Sequence, residues 1–459
     1  MNRLVVVSNR VALPGRRSSA QGGLATGLLG ALKSAGGLWF GWNGRLAETA
    51  DSPPRVLVDG AVTYATVALT RREYDEYYAG FANRCLWPLC HARLNLLRFR
   101  RSEYQTYLET NRRFARQLLP LLGDMPIIWV HDYHLLTLGA RLREAGVRSP
   151  LGFFLHIPFP GPDTLRALPP HRELVHALLS YDLLGFQTAF DCEAFMGAVR
   201  LCVPEAQLEE HVVIFAGRRV AVRPFPIGID VEEVAQMAAR GRRGLHGRRL
   251  KASLTGRQLI IGVDRLDYSK GLPDRFRAYG QLLEHWPAFR RQVVLFQIAP
   301  LSRTEVPEYD NIRRELNAIA GDIHGRYAEY DWLPLRYMTR GFPQRTIMGF
   351  LSLARVGLVT PLRDGMNLVA KEFVAAQPAH DPGALVLSSL AGAAQELTGA
   401  LIVNPYDTEQ IAEALAQALS MPVEERRERW SGMLKALQEN SIHYWAQAFV
   451  RTLKETAEP

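Results

Sequence analysis

Arg265-Leu266-Asp267-Tyr268-Ser269-Lys270-Gly271 puts a cation at each end of one short loop, and the loop runs into a Gly-Leu-Pro helix start. Two fixed positive charges beside a helix N-terminus suit a diphosphate leaving group, whose negative charge grows in the transition state. The same residues could equally make a capped loop closed by an Asp–Lys ion pair, and the loop alone does not separate the two readings. Asp364-Gly365-Met366-Asn367-Leu368-Val369-Ala370-Lys371-Glu372 says more. An apolar run ends at Thr360-Pro361 and a helix is predicted to begin close to Gly365 or Asn367, so its first N–H groups can receive phosphate or hydroxyl oxygens. Glu372, placed two turns into that helix between apolar neighbours, can accept two hydrogen bonds from a ribose diol. Gly22-Gly23, ahead of an amphipathic stretch reaching Lys33, would bring backbone amides close to an anion, although such a pair is more often just a turn. No Asp-x-Asp chelating pair occurs. His131 and His134 flank Asp132 and read as a loop supporting that carboxylate, so no metal and no cofactor are expected.

The elements that must carry these residues are legible as short runs of Val, Ile, Leu and Phe separated by stretches of helical period, the pattern of parallel sheets with crossover helices. The runs are Leu4 to Val7, Ile127 to Val130, Leu151 to Leu155, Leu183 to Phe186 and Val220 to Phe225, then Leu259 to Val263, Val293 to Ile298, Val356 to Val359, Ala384 to Leu387 and Leu401 to Val403. Ser8-Asn9-Arg10, His131-Asp132, His156, Asp264-Arg265 and Arg363-Asp364-Gly365 each follow a run directly, where an open α/β sheet places its ligand crevice. Five such sites, spread over both halves, predict a cleft between two Rossmann-like domains. Two prolines and a glycine in Pro224-Phe225-Pro226-Ile227-Gly228 break regular structure, and the boundary is placed near residue 235.

Composition narrows the function classes. The chain has 459 residues, 47% hydrophobic and 22% charged, which is ordinary globular usage with room for two domains. Its net charge of +9 suits polyphosphorylated substrates as well as nucleic acid. The densest basic stretch, Arg240 to Lys251, is interleaved with Gly241, Gly244 and Gly247 and holds no aromatic residue for base stacking. It reads as a solvated connector, and no nucleic-acid partner is expected. Neither a signal-peptide core nor a bilayer-spanning run is present, so the protein is expected to be cytoplasmic, with no membrane partner and with Cys85, Cys90, Cys192 and Cys202 reduced.

Taken in order, Leu4-Val5-Val6-Val7-Ser8-Asn9-Arg10, Gly22-Gly23-Leu24, Trp39-Phe40-Gly41-Trp42, Trp129-Val130-His131-Asp132-Tyr133-His134 and Phe154-Leu155-His156-Ile157-Pro158-Phe159-Pro160 form a recognisable series. With the Arg265-to-Gly271 and Asp364-to-Glu372 stretches, they resemble the trehalose-6-phosphate synthases of glycosyltransferase family 20, from Arg3 to about Trp445. The resemblance implies an α/β fold of GT-B architecture: an acceptor domain over residues 1–235, a nucleotide-sugar domain over 236–440, and a C-terminal helix over 441–459 that returns to the first. Tyr444, Trp445, Ala448 and Phe449 are expected to form the buried stripe of that helix. Carried over, the donor side uses Gly22, Gly23, His156, Arg265, Lys270, Phe342 and Asp364, with Gly365, Met366, Asn367, Leu368, Val369, Ala370, Lys371 and Glu372. The acceptor side uses Arg10, Tyr78, Trp87, Asp132, Ile157 and Arg303. Asp132, His156, Arg265, Lys270 and Asp364 are the expected catalytic set. Glucose would pass with retention from UDP-glucose, or GDP- or ADP-glucose, to glucose 6-phosphate, with the leaving phosphate helping to deprotonate the incoming hydroxyl. Family likeness also implies a homodimer or homotetramer. Two rival readings stay open within the same fold: a glucosylglycerol-phosphate synthase, and a non-catalytic sensor of sugar phosphates.

Overall fold

In a sheet covered on both faces a strand needs no polar side, and the apolar runs form the middle of two such sheets in the computed structural model. The structure describes residues 3–14, 28–30, 32–33, 36–50, 52–301 and 307–457. Gly22, Gly23, Arg303 and the loop after Pro14 lie outside the described residues. The chain divides into two compact units, Met1–Pro226 with His443–Pro459, and Ile227–Ile442. The change of unit therefore falls at Pro226, ahead of residue 235, because helix Val231–Arg243 packs with the second sheet's helices.

The first unit holds a ten-stranded sheet. In spatial order it runs Arg55–Asp59, Val62–Thr70, Gly37–Ala47, Leu4–Arg10, Ile127–His131, Leu151–Phe154, Leu183–Phe186, Arg218–Pro224, Val212–Phe215 and Gln207–Glu209. The central strands pair in parallel, Leu4 to Ser8 running beside Ile127 to His131 in continuous register. Both edges are antiparallel additions, which pure alternation of strand and helix does not foresee. The second unit's six strands are all parallel, in the order Leu335–Met338, Val293–Ile298, Gln258–Val263, Val356–Val359, Ala384–Ser388 and Leu401–Val403. Numbered along this unit, that order is 3-2-1-4-5-6, the doubly wound arrangement that leaves a crevice between its first and fourth strands.

The Gly/Arg stretch is a correction. It forms helices Val231–Arg243 and Leu245–Leu254, with only Gly244 between them. The glycines are there for close packing: a Cβ on Gly241 would come within 2.1 Å of the Arg345 carbonyl oxygen, and one on Gly349 within 2.4 Å of the Gly241 carbonyl carbon. Two helices cross at backbone contact, and their arginines point outward. The C-terminal helix Ile442–Ala457 also differs in detail. Its buried face is Ile442, Trp445, Ala446, Phe449 and Leu453, a 3.6-residue stripe, while Tyr444 is 52% exposed. Trp445 meets Trp129 at 4.9 Å and Phe154 at 5.2 Å between ring centroids, and Phe449 stacks on Trp129 at 4.4 Å. All four cysteines are buried and free, and burial pushes the Cys85 and Cys192 thiols up to about 12.

Candidate active site

In the first unit the strand order turns at Leu4–Arg10, with Gly37–Ala47 on one side and Ile127–His131 on the other. Ligands of α/β sheets sit beyond the carboxyl ends of such strands, and those ends carry Arg10 and Asp132. The exposed Arg10 lies with its guanidinium carbon 5.6 Å from the centre of the Trp42 ring. Trp42 meets Tyr78 at 5.4 Å, and Tyr78 stacks on His134 at 5.8 Å. Gly44, at φ 79°, lets the arginine lie there, since a Cβ would come within 2.7 Å of its Nη2. Tyr78 rides on a π-helix, Glu73–Leu86, a form concentrated at functional sites. Trp87 follows at once, 5% exposed, its ring 5.7 Å from that of Tyr133.

Asp132 has φ 76° and ψ 164°, a conformation that is essentially glycine's own. Its backbone is held there from both sides: its N–H donates to the Phe154 carbonyl at 2.8 Å and its carbonyl accepts from Leu135 N–H at 3.0 Å. Oδ1 accepts from the His156 amide at 3.3 Å. Strain of about 1–3 kcal/mol in a residue so tightly pinned is characteristic of sites where function dictates the geometry. Nε2 of His156 lies 3.1 Å from Nδ1 of the fully buried His131. Burial pushes His156 down to about 3 and His131 well below its ordinary value, with His156 adding to the latter. Both rings are therefore neutral, and one proton lies between them. Ile157, 7% exposed, closes this strand end.

In the second unit the crevice between the first and fourth strands carries the cations. Asp267 caps its own loop: Oδ1 accepts from the Ser269 amide at 3.0 Å and its hydroxyl at 2.9 Å, and Oδ2 accepts from the Tyr309 hydroxyl at 3.0 Å. Lys270 pairs instead with Asp364, Nζ to Oδ2 at 2.5 Å. The capped loop and the ion pair expected from the sequence are thus both present, with different aspartates. Gly271, at φ 63°, turns the chain into helix Leu272–His285 where a Cβ would collide with the Thr360 carbonyl at 2.3 Å. Behind the loop, the fully buried Arg275 bonds Asp264 at 2.5 Å, Gln297 at 2.9 Å and Thr360 at 3.1 Å, tying the two strand ends together. Arg265 stands exposed on the same loop.

The Asp364 segment is clamped to the next loop, Asp364 N–H to the Leu390 carbonyl at 3.1 Å and Ala393 N–H to the Met366 carbonyl at 2.8 Å. Asn367, at φ 80°, caps helix Leu368–Ala376 by accepting from the Ala370 amide at 3.1 Å, and its Nδ2 donates to Asp364 Oδ2 at 3.0 Å. The helix therefore begins at Leu368, and the first-turn amides of Leu368 and Val369 have no acceptor within it. Glu372 is the fifth helical residue, barely past one turn rather than two. Burial pushes its carboxyl up to about 7, against a hydrogen bond from Gln344. Lys371 is fully buried, its ammonium donating to the Ile227 carbonyl at 2.8 Å and Glu396 at 2.5 Å, so this position can offer a ligand only backbone. Phe342 is half-buried, packed edge-on to Phe350 at 5.4 Å under the Arg340 guanidinium at 5.0 Å. Among the described residues no group of three or more His, Cys, Asp or Glu is placed to hold a metal ion, and no helix is long and apolar enough to cross a membrane.

Sequence reasoning passed over Trp42 as the platform under Arg10 and His131 as the partner of His156. Trp42 lies in a quoted motif and Gly44 two residues on was its signal. The histidine pair joins the ends of two neighbouring strands, and nothing in the linear sequence marks it.

Comparison with known proteins gives one consistent answer. The sequence model of Glycosyltransferase family 20 matches residues 2–455. The chain is 48% identical to a trehalose-6-phosphate synthase of Enterobacter sp. (strain 638), over 99% of this chain and 96% of that one. A solved alpha,alpha-trehalose-phosphate synthase (UDP-forming) from Burkholderia xenovorans, in complex with glucose-6-phosphate, is 48% identical with TM-score 0.94 over 98% of this chain and 100% of that one. An E. coli structure described as trehalose-6-phosphate bound with UDP-2-fluoro glucose is 47% identical with TM-score 0.94 over 99% of both chains.

Proposed function

The chain belongs to glycosyltransferase family 20, and from that premise we propose that it transfers glucose, with retention, from UDP-glucose to glucose 6-phosphate, releasing α,α-trehalose 6-phosphate and UDP. The fold is GT-B, two Rossmann-like units. The observation that carries the reading is the second unit's switch point, where Lys270 is fixed by Asp364 beside the open amides of Leu368 and Val369. That is an anion site built from a cation and a helix dipole. In this role Arg265 and Lys270 stabilise the departing diphosphate, Glu372 accepts from the ribose diol, and Phe342 and the Gly365-to-Val369 backbone line the nucleotide sugar, joined by the amides of Gly22 and Gly23. Arg10 and Arg303 hold the 6-phosphate, for which guanidinium offers a bidentate fork. Tyr78, Trp87 and Ile157 wall the acceptor, and Asp132 and His156 bond sugar hydroxyls.

The reaction breaks the bond from the glucosyl anomeric carbon to the diphosphate oxygen and forms one to the anomeric oxygen of glucose 6-phosphate on the same face. The acceptor's proton passes to the departing phosphate, so no protein nucleophile is required. The protein supplies orientation and charge stabilisation. We place the enzyme in the cytoplasm as a dimer or tetramer. Offering purified protein UDP-glucose with glucose 6-phosphate or with glycerol 3-phosphate decides between this reading and its rivals. Glucosyl transfer to glycerol 3-phosphate alone would make it a glucosylglycerol-phosphate synthase, and no UDP release with either would make it a sensor.

Two further outcomes are expected. Turnover should persist in excess EDTA, because cations and helix amides stand at the diphosphate site; a strict requirement for added Mg²⁺ would contradict that assignment. The Glu372 carboxyl, pushed up to about 7, is a full acceptor only when ionised. The KM for UDP-glucose should therefore fall as pH rises from about 6 to about 8, and Glu372→Gln should flatten that dependence. A slope that survives the substitution would assign it to another group.

A further inference from the structure

We propose that His131 is a positioning residue: it donates Nδ1–H to Nε2 of His156 and so fixes His156 as a permanent Nδ1–H donor toward the substrate sugar. The inference rests on the reading of His156 as a sugar-contacting residue. The two nitrogens are 3.1 Å apart, and a contact of that kind holds one proton, on one side or the other. Were it on His156, the neutral His131 ring would carry its hydrogen on Nε2, which is buried without a partner among the described residues. The ring sits against Trp129 at 4.5 Å and Trp445 at 6.3 Å, and the other unpartnered buried polar atoms of this cluster are those two indole N–H groups, which only donate. Such surroundings tolerate a lone pair at Nε2 better than an N–H, since orphaned donors are the rarer case in proteins. Protonating either ring is opposed by the same burial, so the arrangement has no charged alternative.

A neutron structure of the full chain reads the proton directly, and kinetics read its consequence. Deuterium density is expected on Nδ1 of His131 and Nδ1 of His156, with none on Nε2 of His156. His131→Leu should lower kcat roughly 10- to 100-fold, the usual cost of losing the outer partner of a working side chain, with KM for glucose 6-phosphate little changed. His131→Asn, whose amide nitrogen takes the place of Nδ1, should recover most of it. Density on Nε2 of His156, or an asparagine variant no better than the leucine one, overturns the proposal. If His156→Ala turns over normally, what fails is the sugar-contact reading of His156, whatever the proton map shows.

An independent observation points to a second copy of this chain at one sheet edge. Strand Arg55–Asp59 ends the ten-stranded sheet, pairs only with Val62–Thr70 among the described residues, and is exposed along its whole length. Val56 is 56%, Leu57 47% and Val58 65% exposed, an unprotected apolar edge of the kind that pairs with another strand. Its sequence, Arg-Val-Leu-Val-Asp, is complementary to itself when reversed. On a two-fold axis through Leu57 an antiparallel partner sets Arg55 opposite Asp59 of the partner subunit, twice, with valine facing valine. Parallel pairing would set like charges side by side. The structure thus assigns this edge to a two-fold dimer. Sedimentation of four proteins tests it: wild type, Arg55→Asp, Asp59→Arg and the double swap. Each single reversal should weaken association roughly tenfold or more and the double should restore it, with glucosyl transfer unchanged in all. A monomeric wild type, four proteins that associate alike, or a double swap that fails to recover overturns it.

Discussion

Lys270→Ala and Arg265→Ala are each expected to cut turnover on the order of 10²- to 10³-fold, the cost of removing one preorganised group that stabilises developing charge. The two variants should differ in stability. Arg265 is exposed, where a solvated contact contributes little, so its removal should cost the fold no more than about 1 kcal/mol. Lys270 is the ion-pair partner of Asp364, whose side chain is only 16% exposed, and deleting the ammonium takes the bonded cation away from a largely buried carboxylate to which the Asn367 amide also donates. Lys270→Ala should therefore melt earlier than wild type, and adding Asp364→Ala should restore part of the melting temperature and none of the activity. UDP release under saturating substrates and thermal melts on the four proteins check both halves. Near-normal turnover in both single variants would remove the assigned role.

What the sequence could show of the fold was governed by burial. All ten apolar runs are strands, because a strand covered on both faces needs uninterrupted apolar residues and these have them. Arg55–Asp59 and Gln207–Glu209 escaped notice because these short edge strands bury no face and are bracketed by polar or charged residues, which interrupts any core pattern. The π-helix Glu73–Leu86 was equally hidden, since a widened turn shifts which side chains share a face and no residue type announces it. Glycines misled in a specific way. Gly241 reads as a breaker until Gly349 is seen against it, a contact between segments about a hundred residues apart in sequence that only the tertiary structure supplies. The site followed the same division. Lys270, Arg265 and the Asp364 segment were visible from local spacing, but the pairing of Lys270 with Asp364 spans 94 residues, and the nearby Asp267 was the natural but wrong partner. That Lys371 is committed to Glu396 likewise depends on a neighbour the linear pattern does not name.

Asp132 gives the second large effect, one in which two variants equally short of the carboxylate separate in stability. Replacing it by glycine or by alanine removes the same carboxylate, so both variants should lose on the order of 10²-fold or more in turnover if it bonds the reacting sugars. The backbone at φ 76°, ψ 164° separates them. A Cβ in that region costs about 1–3 kcal/mol, which alanine keeps and glycine escapes. Glycine loses about 0.5–1 kcal/mol of this to its greater freedom in the unfolded chain. Both lose the bond from the His156 amide, which at 3.3 Å is a weak one. Asp132→Gly should therefore be more stable than Asp132→Ala by about 1 kcal/mol. Urea unfolding of the three proteins beside their UDP release decides the matter. A glycine variant no more stable than the alanine one would mean the conformation carries no strain. A glycine variant that still turns over at the wild-type rate would mean the strain does not serve the chemistry, leaving the bonds to the Phe154 carbonyl and from the Leu135 amide to hold a turn and not a catalytic carboxylate.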